Sequence, residues 1–432
     1  MAQFRTDLHK IDSGQVLTRY EVMMLSDRLT PSGTAVDAFG RMRVAQPHTL
    51  FDSQHQDVEN DKWDTLITGS GTKTHLPNES TIKLEIATTS GDSIIRETLR
   101  TMPYQPGKSL LIMNTFAMGT PKANVIQRLG YFSSNNGIYF ENDSGNNYLV
   151  LRSSVTGSVV NTKVAQADWN VDKFDGTGYT AQSTATEHQT GLDVTKANLF
   201  WLDVEWLGVG DVRCGFLVDG LLKTAHIFHN DNKNATTYMR SAILPLRYEI
   251  FNSGNTASNT AMRQICSTVI SEGGYTQINQ TRSASIGLTG KNLTNGISNP
   301  MVSVRLKTDR LNAVAVPVAV DLYGLQATAY KYRVFENVTS LTGASWTTTD
   351  ASSAVEYDIS ASAMTGGTLL KEGIFKGQEV AKEINLRDEL NGIIQLTRKI
   401  NAANGDIFTI AIEPTTINDD AIVALSWQEH IN

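Results

Sequence analysis

The chain has 432 residues, of which 40% are hydrophobic and 19% charged, and its net charge is −7. At roughly 150 residues per domain, this length predicts two or three domains. The apolar fraction is enough for a large core, and the low charge means that Ser, Thr, Asn and Gly must cover much of the surface. No dense basic run is present, which argues against a dedicated nucleic-acid-binding protein because such a protein carries a basic patch.

Neither a membrane span nor a secretion signal is expected. No apolar run approaches the roughly 18 to 20 residues that cross a bilayer, and the first ten residues, MAQFRTDLHK, contain no apolar h-region. The two cysteines, Cys214 and Cys266, provide no disulfide framework and are predicted to be buried free thiols. We therefore expect a chain that is made in a reducing cytosol.

Residues 1–50 are predicted to form an extended arm with one helical run, Val16 to Leu29. An arm without a core of its own cannot offset its ordering entropy, so it is expected to fold against another copy of the chain. The expected assembly is a symmetric homo-oligomer, specifically a trimer. The predicted assembly contacts are the apolar residues of the segment Asp37 to Ser53, namely Phe39, Met42, Val44 and Phe51.

Residues 51–281 are predicted to form a jelly-roll-like β-sandwich. Ile82, Leu84 and Ile86 alternate with polar residues, which is the spacing of a half-buried strand. The run SLLIMNTFAM, residues 109–118, is continuously apolar and is typical of a fully buried strand.

Closely spaced turn signals support the same fold class. Asn136-Gly137 and Ser144-Gly145 predict hairpins, because type I′ turns need positive φ at both central residues. Turn signals at this spacing, with no helical period between them, indicate an all-β sandwich or barrel.

The stretch FWLDVEWLGVGDVRCGFLVDGLLKTAHIFHN, residues 200–230, concentrates reactive residue types. Its alternation predicts a strand up to Trp206, a turn, a second strand from Val212 to Val218, and a tight turn at Asp219-Gly220. The apolar side chains of both strands then share one face. Trp206, Cys214 and Phe216 are therefore predicted to be structural core residues.

A metal or nucleophilic site in this stretch is the alternative interpretation. Cys214, His226 and His229 include a possible zinc-ligand pair, but two histidines three residues apart in a strand point to opposite faces. No further Cys or His lies at ligand spacing. A cysteine on the apolar face stays protonated and inert, so neither a metal nor a catalytic cysteine is predicted.

Two acidic patterns have both a structural and a functional interpretation. Asp168, Asp172 and Asp175 lie close together but depart from the calcium-loop spacing, so a polar loop is favoured and a structural ion is left open. Asp203 and Glu205 alternate onto one strand face, as the carboxylate pair of a glycosidase would, but half-exposed strands do this routinely. Hydrolase, nucleotide-binding and dinucleotide-binding motifs are absent, and neither a catalytic residue nor a cofactor is predicted.

Residues 282–432 are predicted to form a second β-sandwich that folds by itself. Pro317 lies in a strand-like run, VAVPVAV, and requires an edge position or a bulge because it cannot donate to a ladder. One amphipathic helix is expected within residues 377–390. The predicted architecture is therefore all-β, with an extended N-terminal arm followed by two tandem sandwiches.

Several segments resemble one protein family. They are AVDAFGRMRVAQPHTLFDSQHQ, RTMPYQPGKSLLIMNTFAM, VAQADWNVDKFDG, DVEWLGVGDVRCGFLVDG, LPLRYEI and CSTVISEGGY. The chain resembles virion structural proteins of tailed bacteriophages, many from phages of aquatic bacteria, over roughly residues 30–280. The resemblance implies a concanavalin-like jelly roll in the middle region and a place in the virion, and it transfers no catalytic residues.

The function expected on this basis is that of a non-enzymatic virion component of the tail, baseplate or fibres, which supports attachment to the host surface. A capsid decoration protein is the first alternative, and a glycan-binding or glycan-cleaving surface protein is the second. The expected partners are copies of the chain itself, other virion proteins and host-surface glycans, without nucleic acid or a membrane span.

Overall fold

The computed structural model describes residues 46–276, 280–386, 394–417 and 419–430. They form two antiparallel β-sandwiches in tandem, so the predicted all-β class is confirmed. The predicted helix of Val16 to Leu29 and the predicted contacts Phe39, Met42 and Val44 lie outside the described residues. No helix in the described ranges has the length and apolar character needed to cross a membrane.

The first sandwich follows the chain from His48 to Ser271. Its strands are β1 (His48–Ser53), β2 (Trp63–Thr68), β3 (Thr72–Leu76), β4 (Thr81–Ile86), β5 (Ser93–Thr98), β6 (Leu110–Ala117), β7 (Val125–Phe132), β8 (Gly137–Asp143), β9 (Asn146–Ser153), β10 (Val160–Ala165), β11 (Asn198–Val204), β12 (Val212–Val218), β13 (Leu221–Phe228), β14 (Leu246–Asn252) and β15 (Thr260–Ser271). The connections contain one short helix, α1 (Gly178–Ala181), and 3₁₀ turns at Pro77–Glu79, Gln166–Asp168 and His188–Thr190.

These strands form two sheets that face each other. The eight-stranded sheet has the order β13-β12-β11-β6-β15-β4-β3, with β1 also paired to β15, and the seven-stranded sheet has the order β10-β9-β8-β7-β14-β5-β2. Phe140 of the seven-stranded sheet contacts the rings of Phe116, Phe200 and Phe216 in the other sheet, at centroid distances of 5.9, 5.8 and 5.2 Å. The sandwich core therefore lies between the two sheets.

The turn chemistry explains why adjacent strands pair. Ser144 and Gly145 both have positive φ, 53° and 98°, and join β8 to β9 as predicted. Asp219 and Gly220, at 52° and 73°, join β12 to β13 in the same way. The turn predicted at Asn136-Gly137 is instead a four-residue loop, residues 133–136, in which the Ser133 hydroxyl accepts backbone N–H groups.

The second sandwich begins with β16 (Gln280–Ser285), two residues before the predicted boundary. Its other strands are β17 (Lys291–Asn292), β18 (Asn299–Leu306), β19 (Val314–Gly324), β20 (Ala329–Thr342), β21 (Val355–Asp358), β22 (Ala363–Lys376), β23 (Lys382–Asn385), β24 (Ile407–Pro414) and β25 (Asp420–His430). One sheet has the order β16-β25-β19-β23, with β17 also paired to β25, and the other has the order β21-β18-β24-β20-β22.

Two predictions for this sandwich have different outcomes. Pro317 lies in β19 where the pairing with β25 shifts register between Pro317 and Ala319, so the predicted bulge is confirmed. In the segment 377–390, where one helix was predicted, Lys382–Asn385 instead form β23 and pair with β19, and residues 387–390 lie outside the described residues. Pairing with a neighbouring strand overrides the amphipathic pattern there.

Core residues and hydrogen bonds from side chains to backbone carbonyls join the two sandwiches. Val314 and Val316 of β19 belong to the hydrophobic core of the first sandwich. The Thr101 hydroxyl donates to the carbonyl of Asn312 at 3.1 Å, and the Gln395 amide donates to the carbonyl of Thr101 at 3.1 Å. The two sandwiches therefore share an interface that is part of the first core.

Candidate ligand-binding cleft

The residues predicted to be core in the stretch 200–230 occupy two kinds of position. Cys214 and Phe216 lie on β12 inside the first core, and burial raises the pKa of the Cys214 thiol, which makes it a poor nucleophile. Trp206 lies beyond the end of β11 at Val204, and its ring is half-buried. Its indole N–H donates to the carbonyl of Met239 at 2.9 Å, so Trp206 closes the edge of the core.

The three residues considered as zinc ligands do not form one group, because Cys214 pairs with His226 across β12 and β13 whereas His229 lies beside Asp211. Nδ1 of His226 accepts the backbone N–H of Asn170 at 3.3 Å, and burial lowers the pKa of His226 to about 4. Nδ1 of His229 instead lies 2.7 Å from Oδ2 of Asp211, close to Asp231. In the described part of the chain, this Asp211–His229–Asp231 group is the one cluster of three potential ligands, and it includes neither Cys214 nor His226.

The acidic residues of the loop after β10 hold the backbone of that loop. Oδ1 and Oδ2 of Asp172 accept the N–H groups of Phe174 and Tyr179 at 2.8 and 2.6 Å. Asp175 accepts the hydroxyl of Thr177, and this hydrogen bond lowers the pKa of Asp175. Asp168 is exposed in a 3₁₀ turn. These contacts are those of a polar structural loop.

Asp203 and Glu205 do not form an open carboxylate pair. Asp203 is buried on β11 and accepts a hydrogen bond from Nη2 of Arg213 at 2.7 Å. Glu205 follows the end of the strand and is buried as well. A buried, ion-paired carboxylate is not accessible to a sugar.

For two further residues, Phe51 and Cys266, the structure contradicts the degree of burial that the sequence predicted. Phe51 was predicted as an assembly contact, but its side chain is 1% exposed and packs edge-on against Trp63 inside the first core. Cys266 was predicted to be buried, but it is exposed because the pairing of β15 shifts register between Gln264 and Ser267. A bulge at that point turns the side chain out of the sheet.

A concave site that was not found from the sequence lies between the two sandwiches. It is a cleft of about 1010 Å³. Its first wall consists of residues 133–136, Ser154, residues 240–244 and three side chains on the outer face of the seven-stranded sheet, Ile95, Glu97 and Arg247. Its second wall consists of residues 308–313, Ala354, residues 398–402 and His430.

Asn136 organises the first wall. Its Oδ1 accepts the backbone N–H groups of Ser154 and Arg240 at 3.1 and 3.2 Å, and its Nδ2 donates to the Ser154 hydroxyl at 3.1 Å. One buried side chain thus fixes three separate loop segments against each other, because its amide satisfies their backbone donors.

A three-residue ion cluster forms the floor of the cleft. Nη1 of Arg247 lies 3.1 Å from Oε2 of Glu97, and Nη2 of Arg398 lies 2.8 Å from Oε1. Arg247 and Glu97 belong to the first sandwich and Arg398 to the second. The cluster therefore connects both walls, and a guanidinium group occupies each oxygen of the Glu97 carboxylate.

The ion pairs continue across the outer face of the seven-stranded sheet. Arg128 of β7 lies between Glu141 of β8 and Glu249 of β14, at 2.5 and 3.5 Å. The guanidinium groups of Arg128 and Arg152 lie over the ring of Tyr139 at 5.6 and 5.0 Å, and Arg247 lies over the ring of Phe132, which is fully buried. The aromatic rings on this face are thus covered by cations rather than open to a ligand.

Two carboxyl groups with raised pKa lie at a separate, smaller cavity. Burial raises the pKa of Glu336 and of Asp406, and nearby Asp61 and Asp64 add to the respective shifts. The cavity beside them has a volume of about 10 Å³. That space holds at most a water molecule, so these carboxyl groups do not face a substrate.

No family model matches the chain, and no curated protein matches it either. Among solved structures, the chain is similar to a protein of unknown function from Shewanella oneidensis MR-1, with 11% identity, coverage of 61% of this chain and 98% of that chain, and a TM-score of 0.33.

Two further solved structures have a similarly low identity and TM-score. A glycoside hydrolase family protein from Mycobacterium thermorestibile has 9% identity, coverage of 51% and 99%, and a TM-score of 0.34. Arcelin-5, a lectin-like defence protein from Phaseolus vulgaris, has 9% identity, coverage of 52% and 99%, and a TM-score of 0.30. Similarities of this size carry no inference about function.

Proposed function

We propose that the protein is a non-catalytic structural component of a tailed-phage virion and that its cleft binds a glycan of the host surface. The observation that carries the binding function is the cleft itself, a concave site of about 1010 Å³ with one wall from each sandwich. Its volume lies at the upper end of the roughly 300 to 1,000 Å³ of small-ligand sites, which is large enough for several sugar units.

The chemistry of the lining supports a polyhydroxylated ligand. Hydroxyl and carboxamide side chains of both walls can donate to and accept from sugar hydroxyls. The exposed or half-buried side chains of this kind include Ser134, Asn135, Ser241, Asn312 and Asn401.

The carboxylates at the cleft support binding without cleavage. Glycoside hydrolysis uses two carboxyl groups, one as an acid and one as a base or nucleophile. Glu97 and Asp309 are the carboxylates among the described lining residues. Arg247 and Arg398 occupy both oxygens of Glu97, so this group is not available to a substrate.

Ser134→Trp tests the location of the binding site. Ser134 is exposed in the cleft wall, and an indole at this position would fill part of the cleft without replacing a core residue. We expect loss of binding on an array of bacterial surface glycans, whereas Ser158→Trp, in the exposed β9–β10 loop, should bind as the original chain does. Equal binding by both variants would show that the cleft is not the site.

The virion role is supported by the sequence resemblance and predicts a symmetric assembly. Quantitative mass spectrometry of purified particles measures the copy number directly. A tail, baseplate or fibre protein is present in three, six or twelve copies, and a capsid decoration protein is present in hundreds. Absence of the chain from purified particles would contradict both locations.

A further inference from the structure

We infer that the glycan bound in the cleft is anionic, an inference that rests on the proposed function of the cleft. The described lining residues include five cationic side chains and two carboxylates, Glu97 and Asp309, which leaves three positive charges in excess among them. The cations are Arg240, Arg247, Arg310, Arg398 and Lys399. The chain as a whole has a net charge of −7, so this surplus is a local property of the cleft.

Two of the five cations form no direct ion pair among the described residues. Arg247 and Arg398 share Glu97, and Nε of Arg247 also lies 3.4 Å from Oε2 of Glu249. Nε of Arg310 lies 3.6 Å from the exposed Asp309. Arg240 and Lys399 are exposed and form no direct ion pair within the described ranges, and Lys399 partly offsets the raised pKa of nearby Asp406. One lies on each wall, so a ligand between the walls can contact both.

The covered aromatic rings favour an acidic sugar over a neutral one. Sites for neutral sugars commonly place an aromatic ring against the apolar C–H face of the sugar. Among the described lining residues there is no Phe, Tyr or Trp, and the nearby rings of Phe132 and Tyr139 lie under guanidinium groups. The same lack of open rings disfavours single-stranded nucleic acid, whose bases stack on aromatic side chains.

The cations are suited to carboxylate and sulfate groups. A guanidinium group binds a planar carboxylate or a sulfate through two parallel hydrogen bonds, and charge-assisted hydrogen bonds are about twice as strong as neutral ones. Low-dielectric walls on both sides concentrate the potential of the cations inside the cleft. Uronate, sialate or sulfate groups on the glycan provide the matching charge.

Calorimetric titration of the full chain tests the inference. The probes are oligosaccharides that carry uronate, sialate or sulfate groups, each paired with its neutral counterpart, the methyl ester or the desulfated sugar. At least one acidic probe is expected to bind about tenfold or more tightly than its neutral counterpart. Its affinity is also expected to decrease as the salt concentration rises, because salt screens exposed charges.

Charge variants assign the selectivity to the cleft. Arg240→Gln combined with Lys399→Gln should weaken the acidic probe about tenfold or more and leave its neutral counterpart unchanged. Lys173→Gln combined with Lys196→Gln is the matched control, since it removes two exposed charges elsewhere in the first sandwich. Circular dichroism of both double variants verifies that they are folded.

The outcomes separate the two proposals. Acidic selectivity that the cleft variant removes and the control retains supports the inference. Equal binding of acidic and neutral probes, abolished by Ser134→Trp, overturns the inference and leaves glycan binding intact. Failure of every probe, acidic and neutral, to bind overturns both, and acidic selectivity retained by the cleft variant overturns the assignment to Arg240 and Lys399.

Discussion

Two buried histidines in the first sandwich are held in the neutral form. Nδ1 of His55 accepts the backbone N–H of Asn60 at 3.2 Å, and Nδ1 of His226 accepts that of Asn170 at 3.3 Å. Burial lowers the pKa of both imidazoles to about 4. A proton on Nδ1 would remove the acceptor in each case.

These histidines predict a pH dependence of stability. As the pH falls from 6.5, the usual pKa of histidine, to about 4, the unfolded chain takes up protons that the folded chain does not. The contribution of these groups is therefore neutral above pH 6.5 and increasingly destabilising below it. Between pH 7 and 4.5, the melting temperature of the double variant His55→Asn/His226→Asn should fall by less than that of the original chain. An exposed-site control, His48→Asn, should behave as the original chain; an identical pH profile for the double variant would contradict the assignment.

Substitutions in β12 distinguish a structural from a reactive role. Phe216→Ala should lower the free energy of unfolding by about 3 to 5 kcal/mol, because it removes a ring from the first core. Cys214→Ala removes one buried atom and should lower it by about 1 kcal/mol. Trp206→Ala should cost less than Phe216→Ala, since Trp206 is only half-buried.

Urea unfolding of these three variants measures the differences, with glycan binding as the second readout. Binding by the Cys214→Ala variant should equal that of the original chain. Loss of binding with the free energy of unfolding preserved would show that the thiol has a functional role.

At the scale of the elements, the β12–β13 pairing depends on a close approach of two backbones. Gly215 lies where the register shifts between Cys214 and Gly215, and a Cβ atom at this position would overlap the carbonyl oxygen of Lys223. That carbonyl also accepts the indole N–H of Trp201 at 3.2 Å. The bulge thus leaves no room for a side chain.

Gly215→Ala is accordingly expected to destabilise the first sandwich by at least about 2 kcal/mol, through overpacking of a buried strand pair. Gly287→Ala provides the matched control, because no atom lies within 4 Å of its Cβ position and its φ is not in the left-handed region. The control should change the free energy of unfolding by less than about 0.5 kcal/mol. Equal effects in chemical denaturation would contradict the assigned role of the bulge.

The sequence predicted those elements whose signals are local. The alternation of Ile82, Leu84 and Ile86 and the positive φ required at Ser144-Gly145 both specify one strand or one turn, and both are confirmed. Residues 382–385, in the segment where a helix was predicted, form β23 because they pair with β19, a strand that is distant in the sequence. β11 ends at Val204, before Trp206, and Leu207 has a positive φ in the turn that follows; side-chain periodicity encodes neither feature.

The cleft was not predictable for a different reason. Its residues come from segments near positions 97, 135, 240, 310 and 400, and no local pattern relates them. Their proximity depends on how the two sandwiches dock. Nothing in the sequence distinguishes Arg398 from other arginines, and it forms an ion pair with Glu97 only in the folded chain.

At the scale of the whole molecule, the shared interface predicts that the two sandwiches unfold together. Val314 and Val316 would be exposed to water in an isolated second sandwich, because they pack in the first core. Calorimetry of the full chain should show one transition, and a fragment of residues 280–432 should melt at a lower temperature. Two transitions, one of them shared by the fragment, would support the independent folding expected from the sequence.

Hydrogen–deuterium exchange of the full chain, with and without an acidic oligosaccharide, tests the central claim that the cleft between the sandwiches is a glycan-binding site. The structure predicts slower exchange on both walls together, in residues 133–136 and 240–244 of the first sandwich and in residues 308–313 and 398–402 of the second. Slower exchange confined to one sandwich, or to a surface away from these four segments, would contradict it.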